Sequence, residues 1–189
     1  EDIATTAAAT TVGAIHNPTS NMKLGAGISP VPAMLAAGIN VGLGTDGAAS
    51  NNDLDMWEEI RMAALLHKVN SGDPTALPAP QALAMATRLG AAAAQLGGVT
   101  GQLMEGLQAD LIQLSVTDKT RHLPLYDIES HLVYVLDSSD VVTTVVAGKV
   151  LMEERKVLTI DESALRSKVK ARSDEIRAAL LAQQKSAAP

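Results

Sequence analysis

INVGLGTDGAASNND, residues 39–53, is the stretch on which the fold turns. The apolar run at its start, residues 39–43, is short and ends at Gly44, so it reads as a buried strand. A lone carboxylate follows at Asp46. Small residues then lead to Asn51, Asn52 and Asp53, side chains suited to capping a helix N-terminus. From there Leu54, Trp57, Ile60, Ala64 and Leu65 form a stripe of helical period. Asp46 is therefore expected at the C-terminal end of a strand, in a tight strand-to-helix turn. In an α/β sheet or barrel that is where chemistry collects. The small residues after it leave room for a ligand near the backbone.

Upstream, residues 11–16 (TVGAIH) read as a second short strand and residues 17–27 as a loop punctuated by Pro18, Gly25 and Gly27. Pro30 and Pro32 suit the first turn of a helix, which Gly38 stops. This is a strand–loop–helix–strand unit of about thirty residues, the connection that parallel pairing requires. Residues 1–9 read as a weak, Thr-interrupted helix. Downstream, Glu58, Glu59 and Arg61 are expected on the solvent face of the helix after Asp53, and residues 79–94 as one buried helix of Ala and Leu. After Gly97 and Gly98 the pattern turns β-like over residues 110–116, 131–136, 141–147 and 150–152. Asp161 caps a last helix with Leu165, Val169, Ile176 and Leu180 on one stripe.

Apolar residues make up 47% of the 189, enough for a sizeable core, but aromatics are only 2%, so that core must be built from Ala, Leu, Val, Ile and Met. The net charge of −6 argues against nucleic acid or an anionic membrane as the main partner. The absence of Cys excludes disulfides and thiolate metal sites. No apolar run approaches the ~20 residues of a membrane span, and no signal peptide opens the chain. A cytoplasmic protein is expected. The chain opens on Glu1 in what reads as mid-helix, as a piece of a longer protein would.

Two motifs carry a resemblance. GLGTDGAASNNDLDMWEEIR (residues 42–61) and HNPTSNMKLG (residues 16–25) together closely resemble the last barrel strands and following helix of the amidohydrolase superfamily, in the branch of the methylthioadenosine/S-adenosylhomocysteine deaminases. Residues 101–112, 130–134 and 146–150 fit the C-terminal half of the same superfamily. The fold this implies is α/β: the C-terminal part of a metal-dependent (β/α)8 TIM barrel plus part of a flanking β-sandwich. Residues 1–96 would supply the last βα units, 97–160 a sandwich segment and 161–189 a C-terminal helix. The implied activity is hydrolytic deamination of an adenosine-type nucleoside, with a divalent metal, zinc, as cofactor and homo-oligomers formed by the full-length protein. Guanine or other heterocycle deaminases and triazine-type chlorohydrolases share the scaffold. A reading of a different class is an inactive fragment or a structural subunit that needs a partner.

The resemblance makes Asp46 both a metal ligand and the group that handles a proton of the attacking water. Read from the residues alone, Asp46 is as well explained as a turn or capping carboxylate. Ser50 would contact the purine, or cap the helix. His16, at the end of the preceding strand, would face the substrate on the same side of the barrel, although a lone His at a strand end is more often structural. Ser20 and Asn21 are expected to bond the loop backbone, Lys23 to be solvated, His131 to be structural, and His67 and His122 to lie at the surface. A catalytic zinc takes about three protein ligands. The sequence contains neither His-x-His nor His-x-x-Glu. The remaining ligands and catalytic Glu implied by the family thus lie outside these residues, and the isolated chain is expected to be inactive.

Overall fold

In the computed structural model, which describes residues 2–8 and 12–186, two short strands run in parallel: β1 (Gly13–His16) and β2 (Asn40–Leu43). Gly13 stands opposite Asn40 and His16 opposite Leu43. α1 (Asp2–Ala8) precedes them; the other residues of the helix and strand expected there, 1 and 9–11, lie outside the described set. The strands are joined by α2 (Pro18–Leu24) and α3 (Val31–Ala36). α2 occupies what the sequence suggested was loop: Pro18 presets the first turn, and Gly25, at φ 64°, ends it in the left-handed region.

Strand alternation decides what each residue sees. Val41 and Leu43 belong to an apolar core with Val31, Ile39, Ile60, Ala63, Ala64, Leu77, Ala82 and Met85. On the other face, Gly13 and Gly42 admit the backbone of a helix. A Cβ at Gly13 would stand 2.4 Å from Ala93 Cα, and one at Gly42 would stand 2.9 Å from Gly90 Cα. Ile15, on that face, is 52% exposed.

α4 (Met56–Ser71) starts later than expected. Asp55, not residues 51–53, caps it by accepting from the N–H groups of Trp57 (2.8 Å) and Glu58 (3.4 Å). Trp57 is buried, and its indole N–H donates to Leu132 O at 2.9 Å. The expected single helix over residues 79–94 is two, α5 (Ala79–Ala86) and α6 (Arg88–Ala93). The break is at Thr87 (φ −127°, ψ −104°), whose hydroxyl donates to Leu83 O. It lets α6 turn onto the sheet at Gly13 and Gly42.

The strand expected over residues 131–136 is instead largely the end of α7 (Ile128–Tyr134). Asp127 caps it through Ser130 N–H at 2.7 Å, and His131, Val133 and Leu136 are buried. α7 packs on α4 and α5. A sequence rich in β-branched and aromatic residues has here yielded to a cap and a helical surface, since β-propensity is largely a packing preference. The remaining strands form an antiparallel sheet in the order β3 (Leu111–Leu114), β4 (Val141–Val146), β5 (Lys149–Glu153), β6 (Lys156–Val157). α8 (Glu162–Ser186) follows, capped by Asp161, with Leu165, Val169, Ile176 and Leu180 about half exposed. No helix among the described residues is long and apolar enough to cross a membrane.

Candidate functional site

Asp46 lies three residues beyond the end of β2, in an exposed turn with φ 61°. That left-handed conformation is uncommon for a residue with a Cβ, though Asp tolerates it better than most. Two hydroxyls converge on one carboxylate oxygen. Ser20 Oγ donates to Asp46 Oδ2 at 2.8 Å and Ser50 Oγ at 2.7 Å. These bonds, Ser50 first, then Ser20 and the Gly47 N–H, hold the carboxyl below the ordinary Asp range. Hydrogen bonds to the charged form favour it, so Asp46 is an anion at neutral pH. Neither serine touches Oδ1.

Ser50 is not a helix cap. It sits in the turn before α4, where its N–H donates to Gly47 O. Ser20, expected to bond backbone, instead reaches across to Asp46 from α2. Lys23, expected in solvent, ties α2 to the turn through Ala49 O (2.9 Å) and Asn52 Oδ1.

Behind this turn lies Glu59, fully buried on α4 and not on its solvent face. Its Oε2 accepts from Thr19 N–H at 3.1 Å and its Oε1 from Asn51 Nδ2 at 2.6 Å. His67, two turns further along α4, is also buried, not superficial. Its Nε2 meets His16 Nε2 at 3.3 Å. His16, expected to face the substrate, lies on the helix side of β1, where it is 2% exposed, while Ile15 takes the opposite face. Burial, and then the charge of a protonated His67, push the His16 imidazole down to about 4; burial lowers His67 as well. The missed signal was the spacing of Glu59, Ala63 and His67, four residues apart along the buried stripe of α4.

A second cluster joins Asp118, His122 and Asp140, whose ligand atoms lie within 4.8 Å of one another. His122 and Asp140 are fully buried, so His122 is not a surface residue. The carboxylates are already engaged. Lys119 bonds Asp140 Oδ1, Arg121 bonds Asp140 Oδ2 at 2.7 Å, and Arg155 bonds Asp118 at 2.9 Å. Burial alone would raise the Asp140 carboxyl, but Lys119, the Asp137 N–H and Arg121 outweigh it and hold the group low. A cation entering there would have to displace three resident ones, so the cluster is an ion-pair network and not a hydrolytic centre.

The sequence pattern of the amidohydrolase family matches residues 1–151. The chain is 53% identical over 166 residues to the 5'-deoxyadenosine deaminase of Methanosarcina acetivorans, a match covering 87% of this chain and 38% of that protein. It is 53% identical over 163 residues to the 5-methylthioadenosine/S-adenosylhomocysteine deaminase of Pelotomaculum thermopropionicum, covering 86% of this chain and 37% of that one. A crystal structure of an adenosine deaminase from Xanthomonas campestris with bound zinc superposes with a TM-score of 0.83 at 38% identity, over 87% of this chain and 37% of that chain. The chain therefore spans less than two-fifths of the length of these relatives, and it belongs to the amidohydrolase family.

Proposed function

We propose that this chain carries the Asp46 end of a hydrolytic deaminase acting on an adenosine-type nucleoside such as 5'-deoxyadenosine, methylthioadenosine or S-adenosylhomocysteine. The observation that carries the reading is the ionised Asp46 carboxylate at the end of β2, oriented by two serine hydroxyls on Oδ2. The names of the relatives at 53% identity support the substrate class.

The donor chemistry fits a divalent metal such as zinc in part. Asp46 offers an anionic oxygen, a common zinc donor, but a catalytic site takes about three protein ligands. The others come from outside these 189 residues. A bound metal lowers the pKa of water from ~15.7 toward ~7. Asp46 contributes a base: its low pKa keeps the carboxylate free to accept a proton and to hand it on to the departing amine. With both serine hydroxyls on Oδ2, Oδ1 would be the oxygen left to hold a metal or take a proton. Ser50 Oγ has one proton, shared between Asp46 Oδ2 at 2.7 Å and the Gly47 carbonyl at 3.0 Å, so its lone pairs are what it can present to an exocyclic amine of a purine. His16 does not join this group; we assign it to the packing of β1 on α4.

The test is a chimera in which this chain replaces the matching segment of the Methanosarcina acetivorans deaminase. It should retain metal through dialysis and release ammonia from 5'-deoxyadenosine or methylthioadenosine. Asp46→Asn should remove most turnover and weaken metal retention with the fold kept. A chimera carrying Asp46→Asn that keeps near-normal rates and full metal content would refute the assignment.

A further inference from the structure

We propose that Glu59 is a positioning residue for Asp46, acting through the two segments that carry Ser20 and Ser50; this rests on the reading of Asp46 as the reacting carboxylate. Glu59 is fully buried, and its hydrogen bonds among the described residues come from Thr19 N–H and Asn51 Nδ2. A buried carboxylate is costly unless its oxygens are satisfied. Here each donor is the chain neighbour of a serine that holds Asp46. Thr19 precedes Ser20, which donates to Asp46 Oδ2 at 2.8 Å, and Asn51 follows Ser50, which donates to the same atom at 2.7 Å. One carboxylate on a rigid helix therefore clamps two segments from behind, and their hydroxyls clamp the second carboxylate in front.

Asp46 has need of such a clamp. It is exposed, it sits at positive φ, and the side chains that hold its carboxylate, beside the Gly47 N–H of its own turn, are those two serines. Among the described residues, the direct hydrogen bonds from α2 to the turn over residues 47–52 come from Lys23, on the exposed side. Asn51 Oδ1 is buried with no hydrogen-bond partner. This gives the conservative variant a distinct geometry. In Glu59→Gln the new Oε1 can still accept from Thr19 N–H, and the new Nε2 can donate to Asn51 Oδ1 once that amide turns over.

In the chimera, Glu59→Ala should lower turnover by about 10- to 100-fold, the usual loss for a residue that orients a reacting group. Glu59→Gln should recover most of it. The decisive comparison uses the Ser20→Ala, Ser50→Ala background. If Glu59 works through the serines, removing it there should cost no more than about twofold further, because coupled sites are not additive. The full loss repeated in that background would overturn the proposal, as would a Glu59→Ala variant with unaltered rates.

Nuclear magnetic resonance of the 189-residue chain reads the same clamp without activity. In Glu59→Gln and Glu59→Ala the Ser20 and Ser50 amide resonances should shift. In Glu59→Ala the Thr19 amide should also lose exchange protection, while that of Gly44, which donates to His16 O at 3.0 Å, stays as it was. Unchanged Thr19 protection with unmoved serine resonances would overturn the proposal even if the chimera were inert. An inert chimera with the expected shifts would instead remove the deaminase reading and leave the clamp standing.

Discussion

Acidification should loosen the seam between β1 and α4 before the carboxylates that hydrogen bonds hold low, such as Asp46, take up protons. The Nε2–Nε2 bond of His16 and His67, 3.3 Å long, needs one ring to donate and the other to offer a lone pair. A proton on the accepting ring sets two donors against each other inside the core. The His16 imidazole falls from an ordinary 6.5 to about 4 in the folded chain. A lowered histidine pKa means that the unfolded state binds the proton more readily. The stabilisation is therefore fully present above the unfolded value and is lost as pH falls from there toward the folded one. The complete difference corresponds to about 3 kcal/mol, of which about 2 kcal/mol is already gone at about pH 5. His67 shifts in the same direction and adds to the trend. The lowered carboxylates, Asp46 among them, act only below about pH 4. Glu58 runs the other way: its hydrogen bond with Asp53, then burial, then the charges of Asp53, Asp55 and Glu59 raise it, so it gains on acidification. The assay is urea unfolding followed by circular dichroism between about pH 7.5 and about pH 5, for the wild type and His16→Gln, which cannot take up the proton at that position. The wild type should lose about 2 kcal/mol more than the variant over that range. Equal losses in both would refute the reasoning, since Glu58 and the other groups are common to the two proteins.

Trp57→Ala should cost about 3–5 kcal/mol. Trp57→Phe should cost about 1–3 kcal/mol by leaving the Leu132 carbonyl without its indole donor. Because Trp57 is the single tryptophan, a blue-shifted emission from the folded chain checks its burial directly. Gly13→Ala should cost about 1–3 kcal/mol or more, because the added carbon meets Ala93 Cα at 2.4 Å and Ala93 O at 2.5 Å, which are backbone and cannot swing aside. A urea midpoint unchanged from wild type would show that α6 does not lie against β1 as described.

Much of the scaffold around Asp46 was written in neighbouring residues. The apolar run ending at Gly44, the prolines that open α3, the Trp57–Ile60–Ala64 stripe and the Asp161 cap are local devices, and each appears in the structure at or near the place its chemistry indicates. Local devices act within one turn or one strand repeat, so a single stretch of sequence contains both partners. What surrounds the carboxylate depends on pairs that no local pattern links. Ser20 is 26 residues from Asp46, Thr19 is 40 from Glu59, His16 is 51 from His67, and Trp57 is 75 from the Leu132 carbonyl it bonds. Whether Glu59 and His67 face water or the core is a question about a helix face, and it is answered by what packs on that face. A periodic stripe tells which residues share a side of α4. Only the arrival of β1, α2 and the 47–52 turn on that side made Glu59 a buried acceptor and His16 a partner for His67. The same holds for α7: its residue types suit a strand, but the Asp127 cap and the surface of α4 and α5 offered it more as a helix, because pairing and burial outweigh propensities of a few tenths of a kcal/mol per residue.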